Sequence, residues 1–514
     1  MIITSLGHAG FLIETGDDVI LADPWLDPAG AYAASWFPYP SNSSIDPNHL
    51  ERATILYISH WHKDHLDEWF LHSRSKEFKE RVRVIIPNFK YKKLFDIIKN
   101  CGYANIEELP SFEEIRTNSG TEIAVIYDTN PLFVDSALFV RSDGINFLNE
   151  NDCKLSVADE EAIVSRYGII DIFTAQFSGA TFHPTCYTYT EQEKTKISSM
   201  RRKAKFDRIV SSIERLKASY YIPSAGPACF LSDDLRELNL NPSTVFSNAD
   251  DFKYYLRSDH PSLLNTFIEL LPGDKLSLSK DKPIELEKIF TDDYLSQDYL
   301  MRYAKDKKGI ITTEFEKYRA SLGDILSDTK EHFRSLCSNT PELGKLAAAN
   351  LEVILTGENG GSFMIDTSTG NLSSTPIQNS QQIYTLSLDT FWMRAIINLL
   401  TWEDFILSFR FSIERKPDTY NEALIAFLHL ETDEERQDYI NYHDLIASSE
   451  KERISRLCYG KIIEYDRYCP HNGEDLSCAA IENGVLTCPR HFWQFSIEDG
   501  KGINNSGSIN LNWK

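Results

Sequence analysis

Four residues near the end of the chain have the types and spacing to hold a redox cluster. They are Cys469 and His471 in C-P-H, and Cys488 and His491 in C-P-R-H. Two thiolates on one iron and two imidazoles on the other are the ligation of a 2Fe–2S cluster with a potential above that of the all-cysteine type. Such a cluster moves single electrons and leaves the transformation of a substrate to another centre. A structural zinc site also takes two Cys and two His. A zinc finger, however, pairs like with like as C-x₂₋₄-C and H-x₃₋₅-H, whereas each pair here mixes the two types. Pro470 and Pro489 suit tight ligand loops, and Gly473 and Gly484 supply turn freedom.

A second constellation, His60-Trp61-His62-Lys63-Asp64-His65, follows the apolar strand TILYIS. Four ligand-type residues leaving one strand read as a metal site rather than a solvated loop. His60, His62 and Asp152, the last in LNENDCKL, would supply two imidazoles and one carboxylate. That is the facial triad of a non-haem Fe(II) centre, with open positions for O2 and substrate. A hydrolytic site would instead use zinc to hold and acidify a water. Asp64 and His65 would carry a second ion or orient the first ligands, so one ion and two both stay open. His183, in FSGATFHPTC, is either a further ligand or an ordinary loop histidine.

The elements around these residues change character along the chain. Up to residue 150, short apolar runs such as GFLIETG, RATILYISH and TEIAVIYD alternate with helical stretches such as DEWFLHSRSKEFKERV. This predicts an α/β sandwich. Residues 189–218 have helical periodicity, and 240–345 read as mostly helical. NLEVILTGENGGSFMID predicts a hairpin turning at Gly360-Gly361, and TFWMRAIINLLTWEDFILSFRFSIERK an amphipathic helix pair. From 450, short strands and turns surround the Cys and His ligands. The expected division is a metal-binding catalytic domain over 1–285, a middle α/β region over 286–440 and a small all-β domain over 441–514.

The chain has 514 residues, 76 acidic against 53 basic, for a net charge of −23. Nucleic acid is therefore not an expected partner, because phosphate binding needs clustered Lys and Arg. No run approaches the roughly 20 apolar residues of a membrane span, and the N-terminus lacks a signal-peptide pattern. Nine scattered cysteines do not form a disulfide framework, so a cytoplasmic setting is expected.

The H-x-H-x-D-H loop resembles that of the metallo-β-lactamase fold, an αββα sandwich, and the C-terminal ligand pairs resemble a Rieske domain. ATILYISHWHKDHLDEW, FLNENDC, TWEDFILSFRFSIERKPDTYNEALIAFLHL and CPRHFWQFSIEDGKGIN extend the likeness to the CMP-N-acetylneuraminate hydroxylase family of Rieske monooxygenases, with the Rieske domain last instead of first. The resemblance implies that His60 and His62 serve a first metal, Asp64 and His65 a second, and Asp152 bridges. The family's third His would fall near Asn130, and YIPSAGPACF offers no final His. Cys478 lacks a partner for the loop disulfide of high-potential Rieske proteins. Phe492 and Trp493 stand where hydroxyl residues would bond the cluster sulfurs, which implies a lower potential.

The expected function is a Rieske-coupled iron oxygenase. It would use O2, one or two non-haem irons and an external ferredoxin, cytochrome-type donor or reductase. The substrate would be a small polar metabolite, such as a sugar nucleotide or an amine or amino-acid derivative, and a homo-oligomer would suit electron transfer. The alternatives are a lactamase-superfamily hydrolase with an accessory cluster, and an electron-transfer or redox-sensing protein.

Overall fold

In the computed structural model the described residues are all of 1–514 except 129, 131, 133, 281, 374–381, 449–451, 471–473, 475, 489–492 and 504–506. They fall into two compact units, one of residues 1–181 and 191–315, the other of 182–190 and 316–514.

The first unit is an αββα sandwich. Its eight-stranded sheet runs, from edge to edge, Lys282–Glu287, Lys275–Ser279, Ile2–Gly7, Gly10–Thr15, Asp18–Ala22, Ile55–Tyr57, Arg83–Pro87 and Asn105–Leu109. The six-stranded sheet runs Tyr220–Ser224, Ile172–Gln176, Ile145–Asn151, Ser136–Ser142, Glu122–Tyr127 and Glu114–Arg116. Apolar side chains from both sheets form one core between them, including Phe11, Leu56 and Val84 from the first and Val125, Leu138 and Phe147 from the second. Tyr57 fastens the layers together, because its hydroxyl donates to the Ser136 carbonyl at 3.0 Å. A separate core under the six-stranded sheet buries Phe206, Ile209 and Ile213 of the helix Glu191–Leu216 against Phe173 and Phe139. Deeply buried parallel strands read as continuous apolar runs, and this is why TILYIS gives no period-2 alternation.

The second unit holds a five-stranded sheet in the order Leu372–Ser373, Gly361–Asp366, Ala349–Thr356, Gln382–Asp389 and Phe411–Lys416. Gly361 pairs with Leu355, which places the expected Gly360-Gly361 turn at the hairpin's tip. Residues 182–190 run along the free edge of this sheet: Thr188 N–H donates to the Ile413 carbonyl at 3.0 Å, and Ile413 N–H to Cys186 at 2.8 Å. The last part of the chain folds into two three-stranded sheets, Arg453–Cys458 with Lys461–Asp466 and Leu511–Trp513, and Ala480–Glu482 with Val485–Thr487 and Gln494–Ser496.

Three expectations are corrected. FSIERK is the strand Phe411–Lys416, not helix, because Phe411, Ile413 and Arg415 alternate inward with a period of two. The stretch 240–345 contains the hairpin Lys275–Ser279 and Lys282–Glu287, whose Leu276 pairs with Ile3 in the first sheet. The expected boundary at 285/286 therefore cuts a strand. The helix Gln297–Tyr318 also packs Tyr299, Leu300 and Tyr303 against Phe37 and Cys229 of the first unit. Among the described residues, no helix is long and apolar enough to cross a membrane.

Candidate metal centre

The strand Ile55–Tyr57 is buried between parallel neighbours, and the chain leaves its C-terminal end directly into the H-x-H-x-D-H loop. Backbone bonds from His65 and Leu66 to the His62 carbonyl, at 2.9 and 2.7 Å, fold the loop back on itself. Asp67 ends it by capping Phe70 N–H at 2.8 Å and accepting Leu26 and Asp27 N–H at 2.6 and 2.7 Å. Burial pushes its carboxyl up to about 7, against the pull of those N–H groups.

Asp23 organises the loop from beneath. It accepts Ser59 N–H at 2.8 Å and the Ser59 hydroxyl at 2.6 Å, and it lies 3.0 Å from His65 Nδ1. The Ser59 oxygen is 2.9 Å from His60 Nδ1. A carboxylate only accepts, so the chain of donors runs His60 to Ser59 to Asp23, and His65 to Asp23. Both histidines are thereby held with the proton on Nδ1 and the lone pair on Nε2, which is how carboxylates orient metal-binding imidazoles.

The Nε2 atoms face other ligand atoms. His60 Nε2 is 2.9 Å from His62 Nδ1 and 3.6 Å from Asp135 Oδ1. His65 Nε2 is 3.6 Å from Asp152 Oδ1 and 3.8 Å from Asp64 Oδ2. Three groups can each gather their donors around one ion: His60, His62 and Asp135; His60, His65 and Asp152; and His8, Asp64 and His65. His65 Nε2, Asp135 Oδ1 and Asp152 Oδ1 are buried without a hydrogen-bond partner. Buried polar atoms are otherwise almost always paired, so three such atoms converging in one place fit a pair of metal ions. Burial, helped by nearby His65, drives the His60 imidazole down to about 4, which keeps it in the neutral, metal-binding form. Burial opposes charge on Asp152, but His65 beside it holds the carboxyl below its usual range.

The facial triad expected from His60, His62 and Asp152 is assembled differently. Asp135 closes the group with His60 and His62, while Asp152 leans to His60 and His65. Asn130 is a turn-former: its backbone N–H bonds Asp128 at 2.9 Å and its side-chain oxygen accepts Leu132 N–H at 3.1 Å. His8 sits between Gly7 and Gly10 in the tight turn of the opening hairpin and is grouped with Asp64 and His65. Its Nε2 is 2.9 Å from Asp64 Oδ2, and its carbonyl accepts Ala225 N–H at 3.0 Å, just past the end of the strand Tyr220–Ser224. Sequence reasoning passed over His8, Asp23 and Asp135. The signals were a polar residue in each of two otherwise apolar openings, GHAGF and LADPW, and a carboxylate five residues beyond Asn130. His183 lies in the second unit, edge-on to Tyr187 with ring centroids 4.8 Å apart, and among the described residues it joins no group of metal-ligand atoms.

In the C-terminal module, Cys469 and Cys488 are 2 % and 1 % exposed, in a core with Tyr465, Leu476, Leu486 and Phe495. Each opens a loop closed by a backbone bond five residues on: Cys469 N–H to the Glu474 carbonyl, and Cys488 N–H to the Trp493 carbonyl, both at 2.8 Å. Neither is in a disulfide. His471 and His491 lie outside the described residues. Two reduced, buried thiols on matching closed loops suit a 2Fe–2S cluster.

Residues 2–189 match the family model of the beta-lactamase superfamily domain, and 445–510 that of the Rieske [2Fe-2S] domain. The Rieske 2Fe-2S iron-sulfur protein of Mycobacterium tuberculosis is 30 % identical over 531 residues, covering 99 % of this chain and 98 % of the relative. The chain belongs to this family of Rieske 2Fe-2S iron-sulfur proteins. In this chain the lactamase domain comes first and the Rieske domain last. Cytidine monophosphate-N-acetylneuraminic acid hydroxylase of Xenopus laevis is 23 % identical over 453 residues, covering 82 % of this chain and 70 % of that protein. The hydroxylase of Danio rerio is 25 % identical over 232 residues, covering 44 % of this chain and 38 % of that protein.

Proposed function

We propose that the protein is a Rieske-coupled non-haem iron oxygenase that hydroxylates a small polar metabolite with electrons from an external donor. The observation that carries this reading is the pair of partnerless carboxylate oxygens, Asp135 Oδ1 and Asp152 Oδ1, among His60, His62 and His65. Mixed imidazole and carboxylate donors with open positions suit Fe(II) and O2, whereas a hydrolytic zinc site relies on a held water. The similarity to hydroxylases supports the same reading. When bound, iron at the first site would activate O2, and a 2Fe–2S cluster at Cys469, His471, Cys488 and His491 would relay single electrons.

The protein's own residues prepare the site. His60, His62 and Asp135 would hold one ion; Asp64, His65 and His8 would hold or orient a second, with Asp152 between the two. Asp23 fixes the tautomers of His60 and His65 through Nδ1, so that neither imidazole must reorganise when metal arrives. His60, Asp64 and His65 are buried, which strengthens the charge interactions they make. A sugar nucleotide, or an amine or amino-acid derivative, is the proposed substrate class, and a ferredoxin, cytochrome-type protein or reductase the proposed donor.

Metal and sulfide analysis combined with EPR of the dithionite-reduced protein tests the proposal. The expected result is a rhombic Rieske signal together with iron beyond the two atoms of the cluster. Zinc in the lactamase domain, with iron confined to the cluster, would sink the oxygenase and favour a hydrolase.

A further inference from the structure

Three consecutive residues, Tyr32, Ala33 and Ala34, have φ values of +53°, +55° and +54°. This left-handed backbone is unfavourable for tyrosine and alanine, unlike achiral glycine, and all three are buried. The turn is closed by Ala31 N–H to the Trp36 carbonyl at 2.9 Å and Trp36 N–H to the Ala31 carbonyl at 3.2 Å. Gly30, at φ +72°, is required beneath it, because a Cβ there would strike the Trp36 carbonyl oxygen. The far side is anchored by paired backbone bonds between Phe37 and Cys229 at 2.9 and 3.0 Å. The surroundings therefore impose a conformation that the residues themselves disfavour, and such outliers point toward function.

The turn delivers one polar atom to the metal loop. The Tyr32 ring packs edge-on to Trp36 at 5.0 Å, and its hydroxyl donates to Asp64 Oδ1 at 2.6 Å. His8 occupies the other Asp64 oxygen. We infer that Tyr32 is a positioning residue of the metal centre: its hydroxyl sets the rotation of the Asp64 carboxylate and so the lone pair offered to the ion shared with His65. The inference rests on reading this loop as a two-metal site. It adds to that reading a residue 28 positions or more away from the motif in sequence, with no ligand role of its own.

The test is Co(II) titration of the full chain after chelation of labile metal, followed by visible d–d absorption and by bound cobalt after desalting. Wild-type protein is expected to bind two ions. Tyr32→Phe keeps the ring packing and removes only the hydroxyl; it should bind the first ion as wild type does and the second about 10–100-fold more weakly, with altered d–d bands. Ala34→Gly relaxes the turn but keeps the hydroxyl and should bind both ions normally. Unchanged binding and bands in Tyr32→Phe would overturn the role of Tyr32 alone. Equal losses in Tyr32→Phe and Ala34→Gly would assign the effect to the turn instead of the hydroxyl and also overturn it. Fewer than two ions on wild type would remove the two-metal reading, and the inference with it.

Discussion

Asp152 Oδ1 stands 3.6 Å from His65 Nε2, with both atoms buried and neither hydrogen-bonded. The gap is too long for a hydrogen bond and suits two ligands of one ion. Asp152→Asn keeps the shape but replaces one carboxylate oxygen with an amide nitrogen that cannot ligate. Changing a residue that only orients a ligand costs about 10–100-fold in metal affinity, so replacing a ligand itself is expected to cost at least about 100-fold. Competition with a chelator of known affinity measures it; tight retention of both ions would contradict the geometry.

Asp23 makes a different prediction. It touches no ligand atom directly, but it fixes Nδ1 of His65 and, through Ser59, of His60. Asp23→Asn puts a donor group where these histidines need an acceptor. Metal affinity should fall about 10–100-fold while the sandwich stays folded, as circular dichroism would verify.

Acid sensitivity of the first unit should involve Asp274. This buried carboxylate accepts Leu271 and Ile289 N–H at 3.0 and 2.7 Å, and the Lys288 ammonium donates to it at 2.9 Å. Burial raises its carboxyl, but Lys288 and the N–H groups outweigh that and hold it below the usual range. The unfolded chain, at about 3.9, then binds the proton more readily. The stabilisation is therefore complete above about pH 4 and is lost as pH falls through the lowered value. Asp274→Asn should destabilise by about 2 kcal/mol at pH 7 and flatten the acid limb of a denaturation-midpoint profile against pH.

The two centres should be separable by mutation. Cys488→Ser removes a thiolate from the C-terminal core and is expected to abolish the rhombic EPR signal. Metal bound at His60, His62 and Asp135 should persist. Loss of both on one substitution would indicate that the modules do not load independently.

The ligand motifs were legible because their spacing is local: one strand end carries His60 to His65, and two short loops carry the cysteines. The layered sandwich was legible too, since apolar runs and helical periods are local patterns. His8, Asp135 and Tyr32 were not, because they reach the site from a hairpin turn, a different sheet and a strained loop. Only tertiary pairing, such as that of Ala225 with His8, brings them there. FSIERK misled because its strand period is short and follows directly on two real helices. The Lys275–Glu287 hairpin was hidden by its polar outer face.

Residues 182–190 belong to the second unit although the chain on both sides of them belongs to the first. The two halves are thus stitched by three covalent crossings, near 181, 190 and 315, not by one tether. A shuffling event that moved either half by a single cut would leave the Phe411–Lys416 strand without its edge partner. Splitting the protein into two polypeptides for co-expression therefore requires that the 182–190 segment travel with the second half.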